Sequence, residues 1–391
     1  MKKLRTKSDL AIHGAPPAFE SPLHVGRPNI GDRNRFLELA SEVLDRAWLT
    51  NNGPLVQELE ARLARVLEVR HCIAMCNGTV ALETAIRATG LRGEVIVPSY
   101  TFIATAHALH WHGLTPVFAD IDLHTHSLDP ESVRSKITAR TSAILGVHLW
   151  GRPAAHAELE RIASEHGLAL LYDAAHAFGS TLDSRPVGRL GRCEVFSFHA
   201  TKYFSCGEGG AVTTNDDQLA EKIRLMRNFG FAGFDNVVHP GTNAKMPEMS
   251  AALGLSNLDS LDRILDWNRR NFELYAEALS GLPGISLFEP PPSERSNYQY
   301  VVVETHEDCT ASRDELLATL HAENVLARRY FWPGCHRMLP YRESDPGAAE
   351  HLSRTEVVAG RVIVLPTGLA ISEEEIRIVA SILEIALSRR R

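Results

Sequence analysis

Between residues 72 and 228 the chain alternates short apolar runs with segments of helical period, and this alternation limits the fold more than any other feature. The runs are residues 72–76, 95–97, 116–121, 143–149, 169–172, 195–198 and 211–214, and residues 154–166 and 217–228 are among the helical segments. Runs this short and uniformly apolar suit strands buried on both faces. Strands alternating with helices build a mostly parallel sheet covered by helices on each side, so the expected fold class is α/β.

Ahead of this region, Val56, Leu59, Leu63, Val66 and Leu67 share one face of a helix that begins near Pro54, an early helical position that proline tolerates. Behind it, residues 250–279 read as one helix carrying Leu253, Leu255, Leu258, Leu261, Ile264 and Leu265. A stretch rich in Pro and Ser, 281–297, then marks a boundary. Beyond the boundary, 298–305 and 325–331 read as strands and 311–323 as a helix; a closing helix over 373–388 takes Ser372 as N-cap and Glu375 for a capping box. A chain of 391 residues exceeds one ordinary core. The expected division is an irregular arm over 1–21, a large domain over 22–280 with the bridging helix, and a small α+β domain over 281–391.

Bulk properties remove several function classes. A net charge of −7 offers no basic footprint for nucleic acid, and the Arg389-Arg390-Arg391 end reads as a solvated helix terminus. No apolar run approaches the roughly 20 residues of a membrane span, and Met1-Lys2-Lys3 is followed by no apolar segment of a secretory signal. Six scattered cysteines suit a reducing cytoplasm. Cys72 and Cys76 have a metal-like spacing, but no second pair or histidine cluster completes a site, so no metal is expected.

Four segments carry chemistry, each at a predicted strand end. In Phe196-Ser197-Phe198-His199-Ala200-Thr201-Lys202 a lysine leaves an apolar strand, and Gly207-Glu208-Gly209-Gly210 follows. Partial desolvation there lowers the lysine pKa and makes its amine nucleophilic toward an aldehyde. In Leu170-Leu171-Tyr172-Asp173-Ala174-Ala175-His176 the aspartate closes a buried strand, where open α/β sheets bind ligands. A carboxylate there is what a pyridoxal ring needs against its nitrogen, and His176 is placed to reach the phenolic oxygen. Asn77-Gly78-Thr79 is a strand-to-helix turn whose N–H groups favour a phosphate. In Pro98-Ser99-Tyr100-Thr101-Phe102 either aromatic can stack on a ring or serve the core. Taken singly, each segment also fits a surface lysine, a helix cap or core packing. Jointly, and in this order, they point to a pyridoxal-phosphate enzyme. A Rossmann dehydrogenase is disfavoured, because no Gly-x-Gly-x-x-Gly follows the first strand.

These segments, with Trp48-Leu49-Thr50-Asn51-Asn52-Gly53-Pro54 and Gly241-Thr242-Asn243-Ala244-Lys245-Met246, resemble the DegT/DnrJ/EryC1/StrS family of sugar aminotransferases from about residue 22 to the end. The match is densest between residues 48 and 255. The resemblance implies a fold-type-I pyridoxal-phosphate transferase in which Lys202 holds the cofactor covalently and Asp173 faces the pyridinium nitrogen. It further implies His176 near the phenolic oxygen, Gly78, Thr79 and Ser197 at the phosphate, and Phe102 against the ring. Asn243 would reach the phosphate of a neighbouring subunit in a homodimer. Lys245 departs from the arginine of many relatives. The wording around Lys202 and Lys245 is similar to the branch that makes 4-amino-4,6-dideoxy sugars on a nucleotide carrier. L-glutamate as donor, a nucleotide-linked keto sugar as acceptor and ping-pong kinetics follow from the resemblance. Tyr330, His336, Arg328 and Arg329 lie in a stretch similar to the family's sugar-proximal segment; His148 is a further pocket candidate, though a core histidine is the simpler reading. A keto-cyclitol acceptor and a non-catalytic cofactor-binding protein are the competing readings.

Overall fold

The computed structural model describes residues 4–388, so the expectations for Met1-Lys2-Lys3 and for Arg389-Arg390-Arg391 lie outside the described residues. Its centre is a seven-stranded sheet formed by β1 (His71–Met75), β2 (Glu94–Pro98), β3 (Thr115–Ala119), β4 (Thr141–Val147), β5 (Ala169–Asp173), β6 (Cys193–Ser197) and β7 (Gly210–Thr214). The spatial order is β1-β7-β6-β5-β4-β2-β3. β7 is antiparallel to both neighbours and the other pairs are parallel. Each strand lies within two residues of the run predicted for it.

Alternate side chains feed opposite faces, as the pleat requires. Ile73, Met75, Val95, Val97, Leu145, Leu171, Val195 and Val212 pack with the helices Gly78–Thr89, Ile103–Trp111 and Asp217–Arg227. Their neighbours in sequence turn the other way. Cys72, Ala74, Phe196 and Ala211 meet Leu59, Leu63 and Leu255, while Ile96, Ile144, Leu170 and Tyr172 meet Leu159 and Ile162. A sheet dry on both faces explains why the runs read as continuously apolar.

The C-terminal part packs helices Arg313–Ala322 and Glu373–Leu387 on a three-stranded antiparallel sheet of Ile285–Leu287, Val301–Thr305 and Val362–Leu365. The capping box is present: Ser372 Oγ accepts the Glu375 N–H, and the Glu375 carboxylate accepts the Ser372 N–H at 2.7 Å. Among the described residues, the segment up to 21 has only short 3₁₀ turns, yet it is tied down. Leu10, Phe19 and Leu23 enter the C-terminal core, and the buried Glu323 carboxylate accepts the Ala11 and Ala18 N–H groups.

Three expectations need correction. The helix over 250–279 is two helices, Glu248–Leu258 and Leu261–Leu279, broken at Asp259 and Ser260. The apolar spacing survives the break because Leu255, Leu258 and Ile264 enter one core. The strand over 325–331 is a strand only at Val325–Leu326, which pairs with Leu23–His24, followed by a single bridge from Arg328 to Val364. The chain then turns, because Tyr330 and Phe331 pack toward a cavity instead of continuing a ladder. The strand over 298–305 begins only at Val301, since Tyr298 sits in the left-handed region at φ +49°. The second of the two helices has a further property: Ile264 enters the core beneath the large sheet, whereas Phe272, Tyr275 and Leu279 enter the C-terminal core.

Candidate active site

A cavity of about 610 Å³ opens along the edge where the parallel strands end, and Gly78, Thr79, Phe102, Asp173, His176, Ser197, Lys202 and Tyr330 all line it. Segments more than 250 residues apart converge there (residues 77 and 330) because each follows a strand of one sheet or packs against its edge.

Gly78 opens the helix Gly78–Thr89, capped by the Asn77 side chain, which accepts the Val80 N–H at 2.8 Å. A Cβ on Gly78 would stand 2.8 Å from Ser197 Cβ, so only glycine lets this turn lie against the end of β6. The helix start and the Ser197 hydroxyl are therefore side by side at the positive end of a helix, a cradle suited to a phosphate.

Asp173 closes β5. Its carboxylate accepts from Thr105 Oγ1 at 2.8 Å and from the Ala175 N–H at 3.1 Å, so two bonds fix its orientation. His176 is buried, and its Nδ1 has no hydrogen-bond partner among the described residues. Burial, reinforced by the Lys202 charge, holds its pKa well below the usual histidine range and keeps the ring neutral. The ring lies near Trp150, Phe331 and Tyr300, with centroids at 6.0, 5.9 and 4.5 Å. Of the two aromatics after β2, Tyr100 is fully buried and donates to the Tyr330 carbonyl, whereas Phe102 is exposed at the cavity.

Lys202 follows β6 in a turn closed by its own N–H on the His199 carbonyl. Burial lowers its pKa to about 8, against the opposing pull of the Asp173 carboxylate. Its Nζ lies 3.4 Å from the Tyr300 hydroxyl. The sign of the pH effect is direct: below about pH 8 the amine is an ammonium without a lone pair, and above it the amine is free to attack an aldehyde. The rate at which apoenzyme captures pyridoxal phosphate should therefore rise through about pH 8 and then level off, as stopped-flow absorbance would record. An inflection near 10, where an ordinary lysine titrates, would contradict the assigned burial.

The other expected residues lie elsewhere. Asn243 is exposed and bridged to Asn228, away from the cavity of its own chain; Lys245 reaches Asn228 Oδ1 at 3.0 Å and covers the Phe229 ring. Arg329 is engaged with Asp314 and Trp332, and Arg328 covers the Tyr330 ring at 5.4 Å. His336 is buried with both ring nitrogens bonded inside the protein, and does not reach the cavity. His148 is a core histidine stacked on Tyr172 at 4.3 Å. The sequence reading missed Thr105, Tyr300 and Phe331. None sits in a motif of its own, although Thr105 lies only three residues past Phe102 on an apolar helix.

The orphaned His176 nitrogen, the glycine-lined helix start, the fixed carboxylate and the depressed lysine together fit pyridoxal phosphate. The profile of the DegT/DnrJ/EryC1/StrS aminotransferase family matches residues 31–384. The chain belongs to this family. It is accordingly a pyridoxal-phosphate-dependent sugar aminotransferase with an α/β fold. It is 38% identical over 368 residues to dTDP-4-amino-4,6-dideoxy-D-glucose transaminase of Shigella dysenteriae, covering 94% of this chain and 100% of that one. It is 34% identical to GDP-perosamine synthase of Caulobacter vibrioides, covering 92% of this chain and 97% of the relative. The crystal structure of DesI in the presence of its TDP-sugar product is similar with a TM-score of 0.93 and 51% identity, covering 98% and 97% of the two chains.

Proposed function

We propose that this aminotransferase moves an amino group from L-glutamate to carbon 4 of a nucleotide-linked 4-keto-6-deoxyhexose, in two half-reactions with ping-pong kinetics. The observation that carries the chemistry is the pairing of Lys202, its amine poised at about pH 8, with a carboxylate at Asp173 in the same cavity. The acceptor class rests on the relatives, two of which are named for a dTDP-linked 4-amino-4,6-dideoxy sugar and for a TDP-sugar product.

Pyridoxal phosphate, when bound, supplies an aldehyde for exchange with amines and a ring that absorbs electrons. Lys202 Nζ is the amine that tethers it. As a free amine, Nζ would take the donor's α-proton as general base and give it back as general acid. Asp173 would hold a negative charge against the ring nitrogen, its carboxylate kept from rotating by Thr105 and the Ala175 N–H. Gly78, Thr79 and Ser197 would hold the phosphate, Phe102 would cover the ring, and neutral His176 would offer its unpartnered nitrogen to the phenolic oxygen. Tyr330 is the substrate residue nearest this machinery, and Arg328 above its ring extends the positive charge available to a diphosphate.

The division into a large domain over 22–280 and a small one over 281–391 belongs to the same reading, as does a homodimer. Phe229, Phe231, Phe234, Val237 and Val238 are exposed on one segment, an arrangement suited to contact with a second copy. On this reading Asn243, at the foot of that segment, would reach the partner's phosphate site. Six free cysteines favour a reducing cytoplasm, and no helix among the described residues is long and apolar enough to cross a membrane. The substrate reading is tested by mass spectrometry of products from glutamate with a panel of nucleotide-linked keto sugars and keto-cyclitols. Amination of a 4-keto sugar nucleotide is expected, and turnover of cyclitols alone would defeat it.

A further inference from the structure

We infer that Ser99, His336 and Glu356 form a buried latch that positions the sugar-facing wall of the cavity, so that His336 acts on the acceptor through Tyr330 and Phe331 and not by contact. The inference rests on the acceptor reading above.

Ser99 directly follows β2 and leads into Phe102 on the cavity wall. His336 sits on the C-terminal segment that carries Tyr330 and Phe331 to the same wall. His336 Nδ1 lies 2.6 Å from Ser99 Oγ, and His336 Nε2 lies 2.6 Å from Glu356 Oε1. A carboxylate only accepts, so Nε2 carries the proton, leaving the Nδ1 lone pair to accept the Ser99 hydroxyl. Ser99 Oγ in turn accepts the His336 N–H at 3.0 Å, and the Ser99 carbonyl accepts the Cys335 N–H at 2.9 Å. Arg337 grips both oxygens of Glu356 at 2.8 and 2.9 Å. The ring therefore has both nitrogens satisfied in its neutral form, in keeping with a pKa that burial holds below the usual histidine range.

The Ser-His-Glu order invites comparison with a hydrolase triad, but the geometry denies that role. Ser99 is fully buried, is not part of the cavity wall, and its oxygen is already held by the His336 backbone. What the three residues do accomplish is to join two walls distant in sequence. Next to them, Tyr100 donates to the Tyr330 carbonyl, while the Phe331 ring stacks on Trp150 at 5.4 Å and meets Phe102 at 6.4 Å. Slackening the latch moves the aromatic wall first, and leaves Lys202 and the cradle of Gly78 and Ser197, which share no hydrogen bond with the latch, in place.

The discriminating variant is Glu356→Ala, because Glu356 does not line the cavity. In the holoenzyme, Glu356→Ala, Ser99→Ala and His336→Asn are each expected to raise the KM for a dTDP-linked 4-keto-6-deoxyhexose by about tenfold or more, the scale of a small misplacement near a reacting centre. In Glu356→Ala, the change furthest from the Thr101–Thr105–Asp173 relay, the glutamate half-reaction and the cofactor absorbance spectrum should stay at wild-type values. Glu356→Gln, whose amide oxygen still accepts from Nε2, should restore most of the loss. A normal sugar KM in Glu356→Ala alongside a raised one in His336→Asn would establish direct contact by His336 and overturn the latch. An altered cofactor spectrum in all three variants would reduce it to general scaffolding. A wild-type enzyme inactive on every keto sugar nucleotide would instead sink the acceptor reading, and the same comparison would then be made with the acceptor it does use.

Discussion

Lys202→Ala is expected to abolish transamination, with a loss of at least about 10⁴-fold in kcat, since on the proposed mechanism one amine provides both the tether and the general base and acid. The variant should still bind the cofactor, because the cradle of Gly78, Thr79 and Ser197 and the Asp173 carboxylate are independent of the lysine side chain. Its absorbance should be that of the free aldehyde, not of a lysine adduct. Borohydride reduction of the wild type, followed by digestion and mass spectrometry, should place the cofactor mass on Lys202. A variant retaining full turnover, or a label on another side chain, would refute the assignment. The neighbouring Tyr300 hydroxyl, 3.4 Å from Nζ, cannot substitute for the lysine: burial holds its pKa well above the usual tyrosine range, so it stays protonated and is no base near neutrality.

Asp173→Asn should cost about 10²- to 10³-fold in kcat, the scale for losing one preorganised charge contact to a developing charge. The substitution is nearly isosteric, so the cavity keeps its shape while the negative charge that, on the proposed mechanism, faces the ring nitrogen is lost. Because Thr105 and the Ala175 N–H both donate to this carboxylate, an amide satisfies only one of them without rearrangement, and some of the effect will come through orientation. Thr105→Val in the wild-type background separates the two contributions, since it keeps the charge and removes one restraint. Single-turnover absorbance with glutamate gives the chemical step directly, and an unchanged step in Asp173→Asn would remove Asp173 from the mechanism.

What could be read from sequence follows from geometry. The strands were legible because a sheet buried on both faces demands apolar residues at every position. The residues at strand ends were legible because such a sheet presents its ligands at one edge. Lys202, Asp173 and Gly78 all meet that condition, being the residues in or just beyond β6, β5 and β1. The helix Ile103–Trp111 was not legible, since its apolar residues Ile103, Ala104, Ala106, Ala108 and Leu109 surround the axis instead of marking one face. Thr105, which restrains Asp173, went unseen with it. Tyr300 and Phe331 arrive from the C-terminal part, and nothing local announces that a tyrosine at a strand's approach or a phenylalanine in a turn will meet the lysine's surroundings. His336 shows the opposite error. A histidine in a family-like stretch invites a ligand role, and only the structure shows both its nitrogens spent on Ser99 and Glu356.

The helix Leu261–Leu279 has one more consequence. It is a single stiff spar of 19 residues rooted at one end beneath the large sheet and at the other in the C-terminal core. Swinging one lobe away from the other would mean bending that spar against its own backbone hydrogen bonds, and would strip Phe272 and Tyr275 from their packing. A bulky donor or acceptor is therefore expected to enter past rim side chains such as the exposed Phe102, while the latched wall of Tyr330 and Phe331 keeps its place.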